Sequence, residues 1–302
     1  MNVAGESACL AAAAFWAVAL LIFRGSIGVH GARTVNTAKC VLAAVLQGIT
    51  VLALGQMGAL RTTPLSAQAL VAVSGVIGLV IGDTALFAAV ARIGVHRTLL
   101  LQTLAPVFTA LVDGLWRGVW PSPLQAVGAV MILAGVALVV APERAAAAVP
   151  DGGPARSASV SAGVAAGVVA AFGQGVGIVL AKAGMETMDV LPASFLRLAA
   201  AGIGLALLGA ITGGIGRLSR LARSRDAYTR VVPATLLGTY FAMFLMMAGI
   251  AWAPASVAAV LLSTSPVFSL VLEAVVDRQP ITPRGASGTL LAVAGVAVLT
   301  LI

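Results

Sequence analysis

Ten apolar runs alternate with short polar connections along this chain, and the pattern predicts ten membrane-spanning helices. The runs cover about residues 7–23, 38–57, 68–90, 94–113 and 123–141 in the first half, and about 159–182, 190–211, 230–250, 254–275 and 284–302 in the second. Each approaches the roughly 20 residues that a helix needs to cross the hydrocarbon of a bilayer. Two connections are longer: residues 142–159 are rich in Pro and Gly, as linkers often are, and residues 213–230 hold five arginines.

The two halves of the chain repeat each other. At an offset of 160 the recurring residues are Pro106-Val107-Phe108 with Pro266-Val267-Phe268, Gly128 with Gly288, and Gly135 with Gly295. At an offset of 158 the recurring cations are Arg24 with Lys182, and Lys39 with Arg197. We therefore predict a first repeat over residues 1–145, a linker over 146–158 and a second repeat over 159–302. Because each repeat holds an odd number of spans, the second must insert upside down, which predicts two inverted five-helix repeats with a binding site near the midplane between them.

The composition agrees with an all-α membrane protein. Hydrophobic residues make up 60% of the 302 residues and charged residues 9%, whereas soluble domains carry roughly 45–50% and about 25%. The net charge is +8, but the arginines are mostly spread singly between apolar runs, as membrane anchors are, and form no nucleic-acid face. Ten spans place both termini on one side of the membrane, whose loops hold 4 of the 18 Lys and Arg, against 14 on the opposite side. By the positive-inside rule the termini would be outside the cell.

Charged side chains within the spans are the sharpest candidates for a functional site, because a charge at the bilayer centre costs about 2.5–3.5 kcal/mol on insertion scales. Asp83 lies within span three and is a candidate to bind a substrate ammonium or a coupling proton; the alternative is an interfacial side chain capped by Arg92 or Arg97. Lys39 and Arg197 lie just inside spans two and seven. They are candidates to hold a substrate carboxylate, or alternatively anchors that extend to the interface.

Polar and soft side chains at other positions complete the candidate site. A proline frees a backbone carbonyl one turn back, which polar side chains or a ligand can use. The polar residues before the repeated prolines are Gln102, Thr103, Ser263, Thr264 and Ser265, and further mid-span candidates are Trp16, Gln174, Tyr240, Met243, Met246 and Met247. Ordinary helix packing is the alternative for each of them. Near the ends of spans four and nine, the candidate gating ion pairs are Asp113 with Arg117 and Glu273 with Arg278.

The sequence shows no pattern typical of an enzyme, a cofactor site or a metal site. His30 and His96 lie in predicted loops without a nucleophile motif. The glycines at 173, 175 and 177 lie inside an apolar run with no strand before it, so they do not form a phosphate-binding loop. Cys9 and Cys40 are interpreted as buried thiols. We therefore expect no enzyme activity, no cofactor, no metal and no nucleic-acid partner.

Each half resembles an EamA repeat of the drug/metabolite transporter superfamily. The segments that carry the resemblance are Gly82-Asp83-Thr84-Ala85-Leu86-Phe87, Leu104-Ala105-Pro106-Val107-Phe108, Leu262-Ser263-Thr264-Ser265-Pro266-Val267-Phe268, and the Gly-rich fifth spans at 128–139 and 288–299. In addition Trp16 precedes Arg24 by eight residues, and Gln174 stands at the equivalent place in the second half. The resemblance implies a multi-pass transporter with both termini in the cytoplasm, which is opposite to the orientation that the charge count predicts.

These observations predict a secondary transporter that exports small metabolites, such as amino acids, across the inner membrane by alternating access, with one five-span half rocking against the other. Proton coupling is a further hypothesis that rests on Asp83. One alternative is a multidrug exporter of organic cations, which Asp83 favours and which Lys39 and Arg197 oppose. Another is a structural or lipid-handling membrane protein without a transport cycle. The expected partners are a small-molecule substrate, the lipid bilayer and, under the coupling hypothesis, protons.

Overall fold

The structure is a computed structural model that describes residues 3–118, 120–140, 154–252, 261–278 and 280–301, and the regular structure of these residues is entirely helical. The first half contains α1 (Val3–His30), α2 (Ala32–Ala53), α3 (Met57–Thr62), α4 (Leu65–Gly75), α5 (Asp83–Ile93), α6 (Val95–Gln102), α7 (Ala105–Arg117) and α8 (Pro123–Val140). The second half contains α9 (Pro154–Gly184), α10 (Val190–Ile211), α11 (Ile215–Ala222), α12 (Val232–Thr235), α13 (Ala242–Trp252), α14 (Ser265–Val276) and α15 (Pro283–Leu301). Three π-helical segments, Val76–Gly82, Ala227–Val231 and Leu236–Phe241, continue these helices without a break in direction.

Eight helical stretches in the described residues are long and apolar enough to cross a membrane: Val3–His30, Ala32–Ala53, Leu65–Ile93, Val95–Trp116, Ser159–Gly184, Val190–Ile211, Ala227–Gly249 and Pro283–Thr300. Two shorter apolar helices, Pro123–Val139 and Ser265–Val276, stand where the fifth and ninth spans are predicted. Residues 254–260 of the predicted ninth run lie outside the described residues, so the count of ten spans stays a prediction. The same is true of most of the predicted linker, although its residues 154–158 belong to α9.

Helices of the two halves interleave rather than forming two separate bundles. α8 packs on α15, α2 on α10, α5 on α9 and α1 on α13, and each of these pairs joins one half to the other. Glycines allow the closest approach, since a Cβ on Gly128 would lie 2.6 Å from the Gly295 carbonyl oxygen and one on Gly135 would lie 2.5 Å from that of Gly288. The earlier glycine of α8 contacts the later glycine of α15, and the later one of α8 contacts the earlier one of α15. The two helices therefore run antiparallel. Small residues are the usual contact between helices in lipid, where no hydrophobic force drives them together.

A π-helical turn directly precedes Asp83. The Asp83 backbone N–H donates to the carbonyl of Gly78, five residues back, and this pattern recurs in the second half, where Ala242 donates to Leu237. The two π segments begin at residues 76 and 236, which are 160 apart (236−76), as the sequence repeat requires. A π turn leaves the α-helical ladder locally unpaired and is frequent at functional sites. Here Asn36 of α2 fills the gap, because its Nδ2 donates to the Leu79 carbonyl at 2.8 Å.

Candidate functional site

A cavity of about 380 Å³ lies among α1, α5, α7, α9, α13 and the segment before α14. Both halves of the chain contribute to its walls, as expected of a site between two repeats. The predicted site residues that line it are Trp16, Asp83, Gln102, Thr103, Gln174, Met243, Met246, Ser263 and Ser265. The predicted residues that do not line it are Lys39, Arg197, Met247, Tyr240 and Thr264. The first two are nevertheless buried beside it, whereas the last two point elsewhere.

Asp83 forms a buried ion pair with Lys39. Lys39 Nζ donates to Asp83 Oδ2, and the two residues are 0% and 6% exposed. The ammonium also lies 4.8 Å from the centroid of the Phe87 ring and 5.1 Å from that of the Trp16 ring, so two aromatic faces help to stabilise it. Lys39 is therefore neither an interfacial anchor nor a free cation. A charge pair out of water holds together only when it is well hydrogen-bonded, and breaking it leaves an uncompensated charge.

The Lys39 contact changes the interpretation of Asp83. Its carboxylate is paired with a cation of the protein, so Asp83 is not a lone acid within its span. The alternative of an interfacial Asp83 capped by Arg92 or Arg97 does not fit this structure, because Asp83 is 6% exposed and its partner is Lys39. The sequence places these charges in different spans, and only the packing of α2 against α5 brings them together.

Arg197 is the most deeply buried cation of the site. Its residue is 0% exposed, and its Nε, Nη1 and Nη2 have no hydrogen-bond acceptor among the described residues. An interfacial anchor would reach water, so this alternative does not apply. A Cβ on Gly78 would lie 2.7 Å from Nη2 and one on Gly177 would lie 3.2 Å from it. The guanidinium therefore occupies space that only glycines leave free, directly behind the cavity wall that Gln174 helps to form.

The buried charges do not sum to zero. Lys39 and Arg197 are two buried cations of this site, whereas Asp83 supplies one buried carboxylate to compensate them. The repeat explains the imbalance: Lys39 and Arg197 are equivalent at offset 158 (197−39), but the position equivalent to Asp83 at offset 160 (243−83) holds Met243. The second half thus supplies a cation without the matching carboxylate. Burying a guanidinium without an acceptor is unfavourable, so an anion that bound to it would stabilise this arrangement.

Tyr240 and Thr264, which the sequence also nominated, have structural contacts outside the cavity. The Tyr240 hydroxyl lies 2.7 Å from Thr50 Oγ1, and Gln47 Nε2 donates to the Tyr240 carbonyl at 3.3 Å, so Tyr240 faces α2. Thr264 Oγ1 donates to the Leu261 carbonyl at 2.6 Å, at the helical break before α14. Sequence reasoning passed over two hydroxyl residues of the lining, Thr109 and Thr300. Thr109 directly follows the repeated Pro-Val-Phe segment and recurs as Ser269 at the offset of 160 (269−109), so the repeat could have identified it. Only the helix orientation reveals the position of Thr300.

The cavity opens toward the side of the termini. Asp113 and Lys182, near the ends of α7 and α9, both line it, and the Lys182 side chain is exposed. The sequence indicates Asp113 as a gating residue and Lys182 as a repeated cation, and the structure adds that both line the cavity. Both helices begin on the side of the membrane away from the termini and end on the side of the termini. The open end of the cavity is therefore on the side where Val3 begins α1.

The opposite end is closed by polar contacts around α14. Arg24 of α1 donates through Nη1 and Nη2 to the Asp277 carboxylate at 2.7 and 2.8 Å. The Glu273 carboxylate accepts the backbone N–H of His96 at 3.2 Å, and the buried His96 ring lies 3.3 Å from the Pro266 carbonyl. Glu273 thus meets His96 rather than the predicted Arg278. His96 belongs to α6, not to a loop, and the Arg117 side chain of the other predicted pair lies outside the described part of the chain.

Replacing Asp277 by Asn should open this closed end. The pair is partly exposed, and such pairs contribute about 1 kcal/mol at most, so we expect up to about fivefold faster labelling of a cysteine placed at Leu99 by an impermeant thiol reagent added from this side. The Arg24 hydrogen bonds lower the pKa of Asp277. The contact is therefore present at neutral pH and is lost only as the pH falls below the ordinary aspartate value of about 3.9. Arg92→Gln, on the same side but outside these contacts, is the control; equal labelling of wild type and D277N would contradict the prediction.

Comparison with known proteins identifies the fold and the family of this chain. A solved crystal structure of a protein superposes on the chain with a TM-score of 0.67 at 19% identity, covering 100% of this chain and 98% of the other. At that identity the match establishes the shared fold alone. No curated protein matches the chain significantly. The family model of the EamA-like transporter family matches twice, over residues 3–141 and 161–301. These two matches span nearly the whole of this multi-pass membrane protein, and the chain belongs to the EamA-like transporter family.

Proposed function

We propose that this protein is a secondary transporter that exports small zwitterionic metabolites of the amino-acid class across the inner membrane. The observation that carries the proposal is the fully buried guanidinium of Arg197 beside the cavity, which has no hydrogen-bond acceptor in the described part of the chain. A substrate carboxylate would supply the acceptor that the second repeat lacks. Gln174, whose Oε1 is also unpaired, lines the cavity next to it and is placed to orient a polar substrate.

The cavity suits a substrate with an apolar part as well. Leu79, Ile178, Val179, Met243 and Met246 line it together with the Trp16 ring. Methionine side chains adapt to different shapes, which favours a site that accepts several related side chains. Polar groups near Arg197 and apolar groups elsewhere are the arrangement typical of ligand sites, where few polar contacts fix the orientation.

Export of organic cations is less favoured by these charges. Asp83 is the acid that would attract a cation, and Lys39 already occupies it. A cation in the cavity would also be repelled by the positive charge of Arg197 buried beside it, so the local charge opposes its binding. Proton coupling remains a hypothesis that requires Asp83 to separate from Lys39 in another state of the cycle.

We infer that access alternates between the open terminus side and the closed side that contains Arg24 and Asp277. The reciprocal contacts of Gly128 with Gly295 and of Gly135 with Gly288 support the inverted relation of the two repeats. Because the tightest packing runs between the halves, we expect each moving unit to combine helices of both repeats rather than to be one whole half. With the arginine-rich side in the cytoplasm the cavity faces outward, and with cytoplasmic termini it faces inward; a tag on the N-terminus distinguishes these orientations.

Counterflow in proteoliposomes tests the proposal. The purified chain is reconstituted, and uptake is compared between labelled amino acids and the amines that lack only the carboxylate. We expect uptake of amino acids and little uptake of the matched amines, because only the former supply an acceptor for Arg197. Equal uptake of both members of a pair, or uptake of organic cations alone, would reject the zwitterion assignment. Movement of lipid without any solute would favour a lipid-handling role instead.

A further inference from the structure

A cluster of exposed arginines surrounds α11 on the closed side of the molecule. Arg217 and Arg220 lie on α11 itself, and Arg223 and Arg225 follow it directly. All four side chains are exposed, and none of them forms an ion pair with a described residue. The acid of this loop, Asp226, already contacts Arg230 at 3.1 Å and His30 at 3.4 Å. Within the described part of the chain, this cluster of cations is therefore uncompensated.

The helix is placed at the membrane surface. It connects α10, a membrane span that ends at Ile211, to the span that begins at Ala227. Leu221 is 1% exposed and packs toward α2, which fixes one face of the short helix on the protein. Arg217 and Arg220 lie three residues apart, so they are neighbours on the helix surface, and both side chains are exposed. Ile215 and Tyr228 flank them at 58% and 69% exposure, so exposed apolar groups lie beside the cations.

The equivalent helix of the first repeat shows that this charge is not a product of the duplication. α3 begins at residue 57 and α11 at residue 215, an offset of 158 (215−57) that matches the other repeated cations. α3 lies on the opposite side of the membrane and carries Arg61 as its basic residue. The arginine cluster is therefore confined to one membrane surface, although the fold provides the same short helix at both.

We propose that the face formed by Arg217, Arg220, Arg223 and Arg225 binds the headgroups of anionic phospholipids. Lipid phosphates lie at the depth where α11 sits, and arginine binds phosphate with two parallel hydrogen bonds. Exposed Ile215 and Tyr228 would enter the boundary between headgroups and acyl chains, as such residues do in interfacial helices. The negative charge of the lipid balances the cluster without any contribution from the transport site.

Lipid enrichment tests this binding independently of transport. The full-length protein is placed in nanodiscs of phosphatidylcholine and phosphatidylglycerol, extracted, and the lipids retained with it are counted by mass spectrometry. We expect phosphatidylglycerol enrichment in wild type that falls about threefold or more in R217Q/R220Q and at high salt. R217K/R220K should keep much of it, because the charges remain. R220Q alone is matched to R61Q, which removes the same charge from the equivalent helix and should leave enrichment unchanged.

Several results would overturn the proposal. Equal enrichment in wild type and R217Q/R220Q, with unchanged thermal unfolding, would mean that the cluster is merely hydrated. An equal loss in R61Q would indicate a response to total charge alone. Displacement of the lipid by millimolar inorganic phosphate would identify a site for soluble phosphate. Since transport is not measured, an error in the proposed substrate would leave these readings unaffected.

Discussion

Replacing Lys39 by Met is expected to destabilise the protein by about 3–5 kcal/mol, because the substitution leaves the Asp83 carboxylate buried without its partner. The pair is almost fully enclosed, and removing one member of such a pair costs more than removing both. The double variant K39M/D83N should therefore recover most of the lost stability, since an amide and a thioether carry no charge. Thermal unfolding in detergent measures both effects.

The matched control for this series is K182M, which removes an exposed lysine at the open end of the same cavity and should change stability little. A K39M variant as stable as wild type would contradict the importance of the pair. K39M could also lose much less stability than expected, with no further recovery in K39M/D83N. That result would mean that Asp83 pairs with Arg197 once Lys39 is removed. If Asp83 is the site of proton coupling, K39M/D83N should fold and still lose the pH dependence of transport.

Replacing Arg197 by Gln should have opposite effects on stability and on transport. The guanidinium is buried without an acceptor among the described residues, so a neutral side chain should leave the protein as stable as wild type or more stable. Transport of amino acids should fall, since a hydrogen bond to a charged group contributes about 1.5–3 kcal/mol, equivalent to about 10- to 150-fold in kcat/KM. R197K should retain part of the activity through its charge.

The amines that lack a carboxylate provide the internal control for this variant. Their weak uptake should be unaffected or increased by R197Q, because the substitution removes a repelling charge. R61Q, on the surface of α3, controls for the loss of a cation in general. A simple structural role of Arg197 would give the reverse result, with reduced stability and equal losses for amino acids and amines.

Positions along the chain could be predicted from the sequence where a local pattern records them. The apolar runs correspond to most of the helices, because the length of a membrane span is fixed by the thickness of the hydrocarbon. The recurrence of Pro106 at Pro266 and of Lys39 at Arg197 records an ancestral duplication. The position of Asp83 within an apolar run also identified it as a candidate, although the sequence left a buried and an interfacial location open. None of these patterns contains information on distances between spans.

Partners depend on helix rotation and packing, which hydropathy does not specify. From the sequence alone, Asp83 is interpreted as a free acid. In the structure α2 packs against α5 and brings Lys39 to it. The sequence predicts Glu273 as a partner for Arg278, five residues away. In the structure its carboxylate accepts the backbone N–H of His96 instead. Tyr240 looks like a mid-span binding residue, but the rotation of its helix turns the hydroxyl to Thr50.

The sequence by itself determined the solvent of this protein, its repeated architecture and the side chains that are costly to bury, because these follow from the composition of each segment and from its length. Only the tertiary structure decided which charges compensate each other. It pairs Lys39 with Asp83, leaves Arg197 without an acceptor behind Gly78 and Gly177, and closes one end of the cavity with Arg24 and Asp277. These contacts join residues distant in the chain, and the electrostatic free energy of each depends on separations that only the packed helices define.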